Sequence, residues 1–144
     1  MRYLLFLLLL LSILSGCSTN NPQGRVPVRG EVTLNGQPLA QGNVLFSSLP
    51  GVTPMVATGS AIKNGTFSLS AEHGLIPDQE YLVQFSSVEE VSGTRTETDD
   101  PMGSKVETRN IIPPQYGTES KETVTATKKS PNVFRFELTG ESAK

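Results

Sequence analysis

The chain has 144 residues, with 12 Lys or Arg against 14 Asp or Glu and a formal net charge of −2. That length suits one domain, and so mild an acidity excludes the basic stripe that a nucleic-acid surface needs. A single cysteine leaves no partner for an intramolecular disulfide, so the fold must be held by its core.

Arg2 and the almost entirely apolar run from Tyr3 to Leu14 match the positive start and the apolar stretch, about 7–15 residues long, of a secretory signal. A membrane-spanning helix needs about 20 apolar residues, and polar Ser18-Thr19-Asn20-Asn21 ends the run too early. The run closes on Leu14-Ser15-Gly16-Cys17, which resembles the lipobox of bacterial lipoprotein signal peptides. That resemblance implies cleavage between Gly16 and Cys17, diacylglycerol on the Cys17 thiol and an acyl chain on the new amine. One buried acyl chain holds a protein marginally and two hold it stably, so a membrane is the first expected partner. No cofactor is expected beyond this covalent lipid. In some bacteria an Asp after the cysteine retains the protein at the inner membrane. Ser18 stands there instead, so the outer membrane is expected, with the domain facing the periplasm or the cell surface. Residues 1–16 therefore read as signal peptide, 17–24 as lipidated cysteine and polar tether, 25–139 as the folded domain and 140–144 as a tail. The tether, Ser18 to Gly24, reaches at most about 25 Å when extended.

From Arg25 to Leu34 the apolar residues alternate. Val26, Val28, Val32 and Leu34 share a face with Gly30, and Arg29, Glu31 and Thr33 share the other. Period two predicts a half-buried strand. Asn35-Gly36 predicts a tight hairpin turn, and Gln37-Pro38-Leu39 a short edge segment, because Pro38 cannot donate to a ladder. Asn43 to Ser48 reads as a strand with Val44 and Phe46 inward, broken by Leu49-Pro50-Gly51. Met55 to Ile62 and Thr66 to Ser70 read as a hairpin about Asn64-Gly65, with Phe67 and Leu69 inward. Tyr81, Val83 and Phe85 mark the next strand.

Ser86 to Arg109 is long and polar and carries Glu89, Glu90, Glu97, Asp99 and Asp100. A structureless loop of that length is uncommon inside a compact domain and is usually functional or disordered. It is the expected binding loop. Ile111 to Tyr116 returns to the core as an extended segment. Thr123 to Thr127 and Asn132 to Leu138 are the last strands, with Phe134, Phe136 and Leu138 inward. About seven short strands with regular turns and no helical period predict an all-β fold, an antiparallel β-sandwich.

Val28-Arg29-Gly30-Glu31-Val32-Thr33-Leu34-Asn35-Gly36-Gln37-Pro38-Leu39, then Gly42-Asn43-Val44-Leu45-Phe46, resembles the opening of transthyretin-like, carboxypeptidase-regulatory-like domains. Asn64-Gly65-Thr66-Phe67 is similar to their D-G-x-F hairpin. Leu75 to Val83 is similar to their L-x-P-G-x-Y-x-V stretch, with Asp78 or Gln79 where they have glycine. Ile112-Pro113-Pro114-Gln115-Tyr116 resembles a stretch of small planctomycete-type lipoproteins that carry this domain. The resemblance covers Val26 to Leu138. It implies an immunoglobulin- or prealbumin-like sandwich.

One branch of transthyretin-like proteins hydrolyses a purine-degradation product with several histidines, an arginine and a C-terminal Tyr-Arg-Gly-Ser. This chain has only His73 and ends Thr139-Gly140-Glu141-Ser142-Ala143-Lys144, so that site cannot be assembled. A triad of Ser70, His73 and Asp78 would crowd one turn with no recognisable oxyanion hole. One histidine with no second His or a free Cys partner excludes an ordinary zinc site. Glu97, Asp99 and Asp100 could offer oxygens to Ca²⁺ but lack the spacing of a calcium loop. Carbohydrate-binding sandwiches usually show aromatic platforms. Trp is absent and Tyr81 is expected inside, which leaves Tyr116. The expectation is a non-catalytic, membrane-anchored envelope module, binding or structural, whose ligand the sequence does not name, with envelope proteins or glycans as candidate partners, and not an enzyme. A hydrolase and a carbohydrate- or Ca²⁺-binding sandwich are the alternatives.

Overall fold

The computed structural model of the chain describes residues 21, 23–96, 105–129 and 131–141, and for 92–96 and 105–107 the backbone alone. Ten strands follow in order: β1 Val28–Leu34, β2 Gln37–Pro38, β3 Gln41–Ser48, β4 Ala57–Lys63, β5 Thr66–Leu69, β6 Glu80–Ser86, β7 Val88–Thr96, β8 Lys105–Asn110, β9 Thr123–Thr125 and β10 Asn132–Leu138. The only helical element among the described residues is a 3-10 turn, Pro114–Tyr116.

One curled sheet runs β10-β1-β5-β4-β3-β6-β9, with β2 paired to β1, and β7-β8 forms a separate ribbon. Every pair is antiparallel except β1 with β10, which is parallel. The sheet folds over at the β4–β5 hairpin. There only Lys63 and Thr66 remain in ladder register. Beyond them the Ser60 hydroxyl donates to the Ser68 carbonyl (2.9 Å) and the Thr58 hydroxyl to the His73 carbonyl (2.7 Å). Side chains replace backbone bonds where the two layers part, and the result is an all-β, sandwich-like domain.

Alternation then fills the space between the layers. Val28, Val32, Phe67, Leu69, Phe136 and Leu138 come from one side and Val44, Phe46, Ile62, Tyr81, Val83 and Phe85 from the other, all buried. The rings meet across the gap. Phe46 lies 5.8 Å from Phe67, and Phe85 packs edge-on to Phe136 at 5.0 Å. Both hairpin turns form as the sequence predicts. Asn35 and Gly36 take φ of 51° and 82°, Asn64 and Gly65 49° and 74°, the positive pair that matches strand twist.

Three expectations need correction. Among the described residues the strands number ten rather than about seven. Much of the expected structureless loop from Ser86 to Arg109 is the β7–β8 ribbon, which pairs Val88–Glu90 with Thr108–Asn110, shifts register between Glu90 and Arg95, and resumes with Arg95–Val106 and Thr96–Lys105. The described side chains at its base, Val88 to Val91 and Thr108 to Asn110, are exposed on both strands, so burial imposes no period-two pattern there. Ile111 to Tyr116 does return to the core, but its last three residues are not extended. Pro113 and Pro114 supply no N–H to a ladder, and Pro114 opens the 3-10 turn while Ile112 and Pro113 plug the core.

Candidate functional site

β1 gives the domain two distinct ends. At its start the chain is tied down through Asn21, Arg25 and Val26. The Asn21 side chain accepts from the Arg25 N–H and donates to the Arg25 carbonyl, both at 2.8 Å. The Arg25 guanidinium reaches the Gly74 carbonyl (3.4 Å), and Val26 bridges Leu75. At its finish, near Leu34 and Asn35, the ribbon leaves the sandwich. Seven strand residues separate these ends by about 20 Å, at roughly 3.3 Å per residue.

The ribbon's root is built on Ser87, which is 4% exposed. Its hydroxyl donates to the Gln41 carbonyl (2.6 Å) and its carbonyl accepts from the Ile111 N–H (2.9 Å). The Asn110 side-chain oxygen accepts from the N–H groups of Ser87 (3.4 Å) and Ile112 (3.1 Å). One amide thus ties both strands of the ribbon to the core. Grooves flank this root. On one side a groove of about 650 Å³ is lined by Gln41, Asn43, Lys63, Asn64, Ser87 and Val88. On the other, two smaller grooves share Leu34, Glu89 and Ile111, and one of them adds Asn35, Arg109 and Glu141. Val88 and Glu89 are neighbours in one strand, so their side chains point to opposite faces and each faces its own groove.

Of the expected binding residues, Glu89 and Glu90 are exposed on β7, across from Arg109 and Thr108. Glu97, Asp99 and Asp100 lie outside the described residues, as do Gly16 and Cys17. Sequence reasoning missed Gln41, Lys63, Asn64 and the Ser87–Asn110 root. Their roles come from contacts with backbone carbonyls and from strand register, which leave no local pattern.

Ser70, His73 and Asp78 are all exposed. The His73 backbone N–H bonds the Ser70 carbonyl (3.2 Å), and the Asp78 carboxylate lies 3.8 Å from Lys128. Among the described residues no hydrogen bond joins the three side chains. Asp78, rather than Gln79, takes the positive φ (63°) that glycine often supplies. No group of three His, Cys, Asp or Glu close enough to hold a metal ion occurs among the described residues, and none of their helices is long and apolar enough to cross a membrane.

Of the two aromatic candidates, Tyr81 is inside and Tyr116 is half-buried. Tyr81 is fully buried; its hydroxyl accepts from the Ile76 N–H and donates to Gln79, both at 3.0 Å. Burial pushes its phenol pKa up, while the Ile76 N–H and the Arg25 charge pull it down by less. Tyr116, the remaining candidate platform, is half-buried against the core, with its hydroxyl 3.5 Å from that of Thr139.

The fold and the grooves define an all-β, sandwich-like domain that carries a two-stranded arm. Comparison with protein-family models, with curated proteins and with solved structures finds no match for the chain.

Proposed function

We propose that this chain is a lipid-anchored, non-catalytic envelope module that presents the β7–β8 arm to a partner. The observation that carries the reading is polarity. The tether enters at the start of β1, and the arm is rooted at the other end, beside Leu34 and Asn35. A protein held by Cys17 would sit with its tether end toward the bilayer and its arm away from it. The arm also has a physical reason to seek contacts, because an isolated two-stranded hairpin is marginally stable without a further strand or a packed face. The larger groove at its root, whose lining includes amides, one lysine and exposed Val88, offers the adjoining surface.

Cross-linking in intact cells, with mass spectrometry of the mature chain, tests the reading. Replacing residues 88–109 by a short Gly-Ser turn should abolish any cross-linked partner while the domain keeps its unfolding midpoint. A partner that survives this replacement removes the arm from the proposal. Cys17→Ser should leave an uncleaved, unlipidated precursor, and maturation of that variant to the wild-type mass would overturn the anchor.

A further inference from the structure

A second interaction surface lies on the sandwich itself and uses neither the arm nor the anchor. β4 and β5 part beyond Lys63–Thr66, where the Ser60 and Thr58 hydroxyls span the gap between the layers, and three further strands lie at the margins of the curled sheet. β2 is two residues long and contains Pro38, and β9 is three residues long. Both are blunted in the way that protects edges from pairing. β10 is seven residues long, has no Pro or Gly, and pairs only with β1.

The direction of its peptide groups follows from one bond. The Leu138 carbonyl accepts from the Asn35 N–H (2.8 Å) in a parallel ladder that sets Leu138 beside Leu34. Asn132, Phe134, Phe136 and Leu138 therefore address β1, and Val133, Arg135 and Glu137 turn their N–H and C=O groups to the open side. Among the described residues no hydrogen bond reaches those six groups. The open run stops at Thr139, whose N–H donates to the Tyr116 hydroxyl (3.4 Å) and whose carbonyl accepts from the Gln115 amide (3.1 Å).

We propose that the β10 edge binds an extended segment of another protein as an added antiparallel strand, with a basic residue opposite Glu137 and an acidic one opposite Arg135. The outward side chains set the preference. Glu137 has no ion-pair partner among the described residues, and Val133 is 49% exposed. The Arg135 guanidinium already meets Glu31 at 3.0 Å, and its five donors leave room for a second carboxylate. The wanted pattern is basic, apolar, acidic, apolar, apolar, with the second and fourth residues beside Phe136 and half-buried Phe134. A second copy of this chain fits worse. Two-fold pairing over the open run sets Arg135 against Arg135. Shifting the register to match Arg135 with Glu137 sets Val133 against Thr139, which Gln115 and Tyr116 already cover.

The probe is the blocked pentapeptide Lys-Val-Glu-Val-Val, added at millimolar concentration to ¹⁵N-labelled protein and read by amide hydrogen exchange. The amides of Val133, Arg135 and Glu137 should exchange fast in the free protein and slow on adding peptide, while those of Phe134 and Phe136 stay protected throughout. Glu137→Lys should weaken this peptide several-fold and shift preference to one that begins with Glu. Arg135→Pro removes only an outward N–H, so it should keep the fold and lose the peptide. The proposal is overturned if the three amides gain no protection. It is also overturned if Arg135→Pro or Glu137→Lys binds as well as the parent, or if protection rises with protein concentration alone, which would mark self-pairing.

Discussion

Gly30→Ala tests whether the two layers are packed as described. Gly30 sits mid-strand in β1, facing inward between Val28 and Val32. Intrinsic preference favours the substitution, since glycine in a strand interior costs roughly 0.5–1 kcal/mol relative to alanine. Packing opposes it. A methyl group at this position falls far inside van der Waals contact with Cε1 and Cζ of Phe67 and stands 3.0 Å from the Phe134 carbonyl oxygen. Phe67 is closely packed. It is 5% exposed, with the Phe46 ring 5.8 Å to one side and the Phe136 ring 6.3 Å to the other. Overpacking costs about 1–3 kcal/mol, and overlap with two ring carbons puts this case in the upper part of that range, about 2–3 kcal/mol, so the net effect is destabilisation of about 1–2 kcal/mol. With a urea slope of about 2 kcal/mol/M, the midpoint should fall by about 0.5–1 M with the slope unchanged. Phe67→Leu, itself destabilising, should cost less in the Gly30→Ala background than alone, because the smaller side chain yields to the methyl group. An unchanged or raised midpoint for Gly30→Ala would refute the placement of Phe67 over this glycine.

Tyr81→Phe removes the acceptor of the Ile76 N–H and should cost about 1–2 kcal/mol at neutral pH, measured by urea unfolding. The same variant tests the phenol's titration. Its folded pKa lies above the ordinary value of 10.0, so between the two values the unfolded chain has lost a proton that the native state keeps. Stability should therefore be intact below pH 10 and fall as pH rises through the folded pKa, and Tyr81→Phe should flatten that part of the fall. Asn132→Ala breaks a two-point clamp in which Thr127 donates to Oδ1 (2.8 Å) and Nδ2 donates to the Thr127 carbonyl (3.0 Å). Thermal unfolding should show a loss of about 1–2 kcal/mol, because Thr127 is exposed and water can replace part of the clamp. Gly74→Ala drives a methyl group into the Val26 backbone carbonyl, which cannot turn aside as a side chain can. It should open the Val26–Leu75 bridge and release the Arg25 contact, seen as faster amide exchange at Val26 and Leu75.

Where one face of a strand is buried, this sequence declares it. Val28 and Val32, Val44 and Phe46, and Phe136 and Leu138 alternate because water lies on one side and the core on the other. The two Asn-Gly turns are equally legible, since few residues accept two successive positive φ values. The ribbon escaped for the converse reason, because its exposed base carries no apolar period. Polar, β-branched residues there fit a strand and a loop alike. The β1–β10 pairing escaped for another. It joins strands about a hundred residues apart, and nothing local in Asn132 to Leu138 says whether its neighbour runs parallel. Yet that pairing decides which peptide groups of β10 are left open. The root has the same character, since Ser87 and Asn110 act through backbone groups of Gln41 and Ile112 that any sequence would supply. Core positions are constrained by burial and so leave a pattern. The arm root and the β10 edge are set by long-range register and by unpaired backbone, and these leave none.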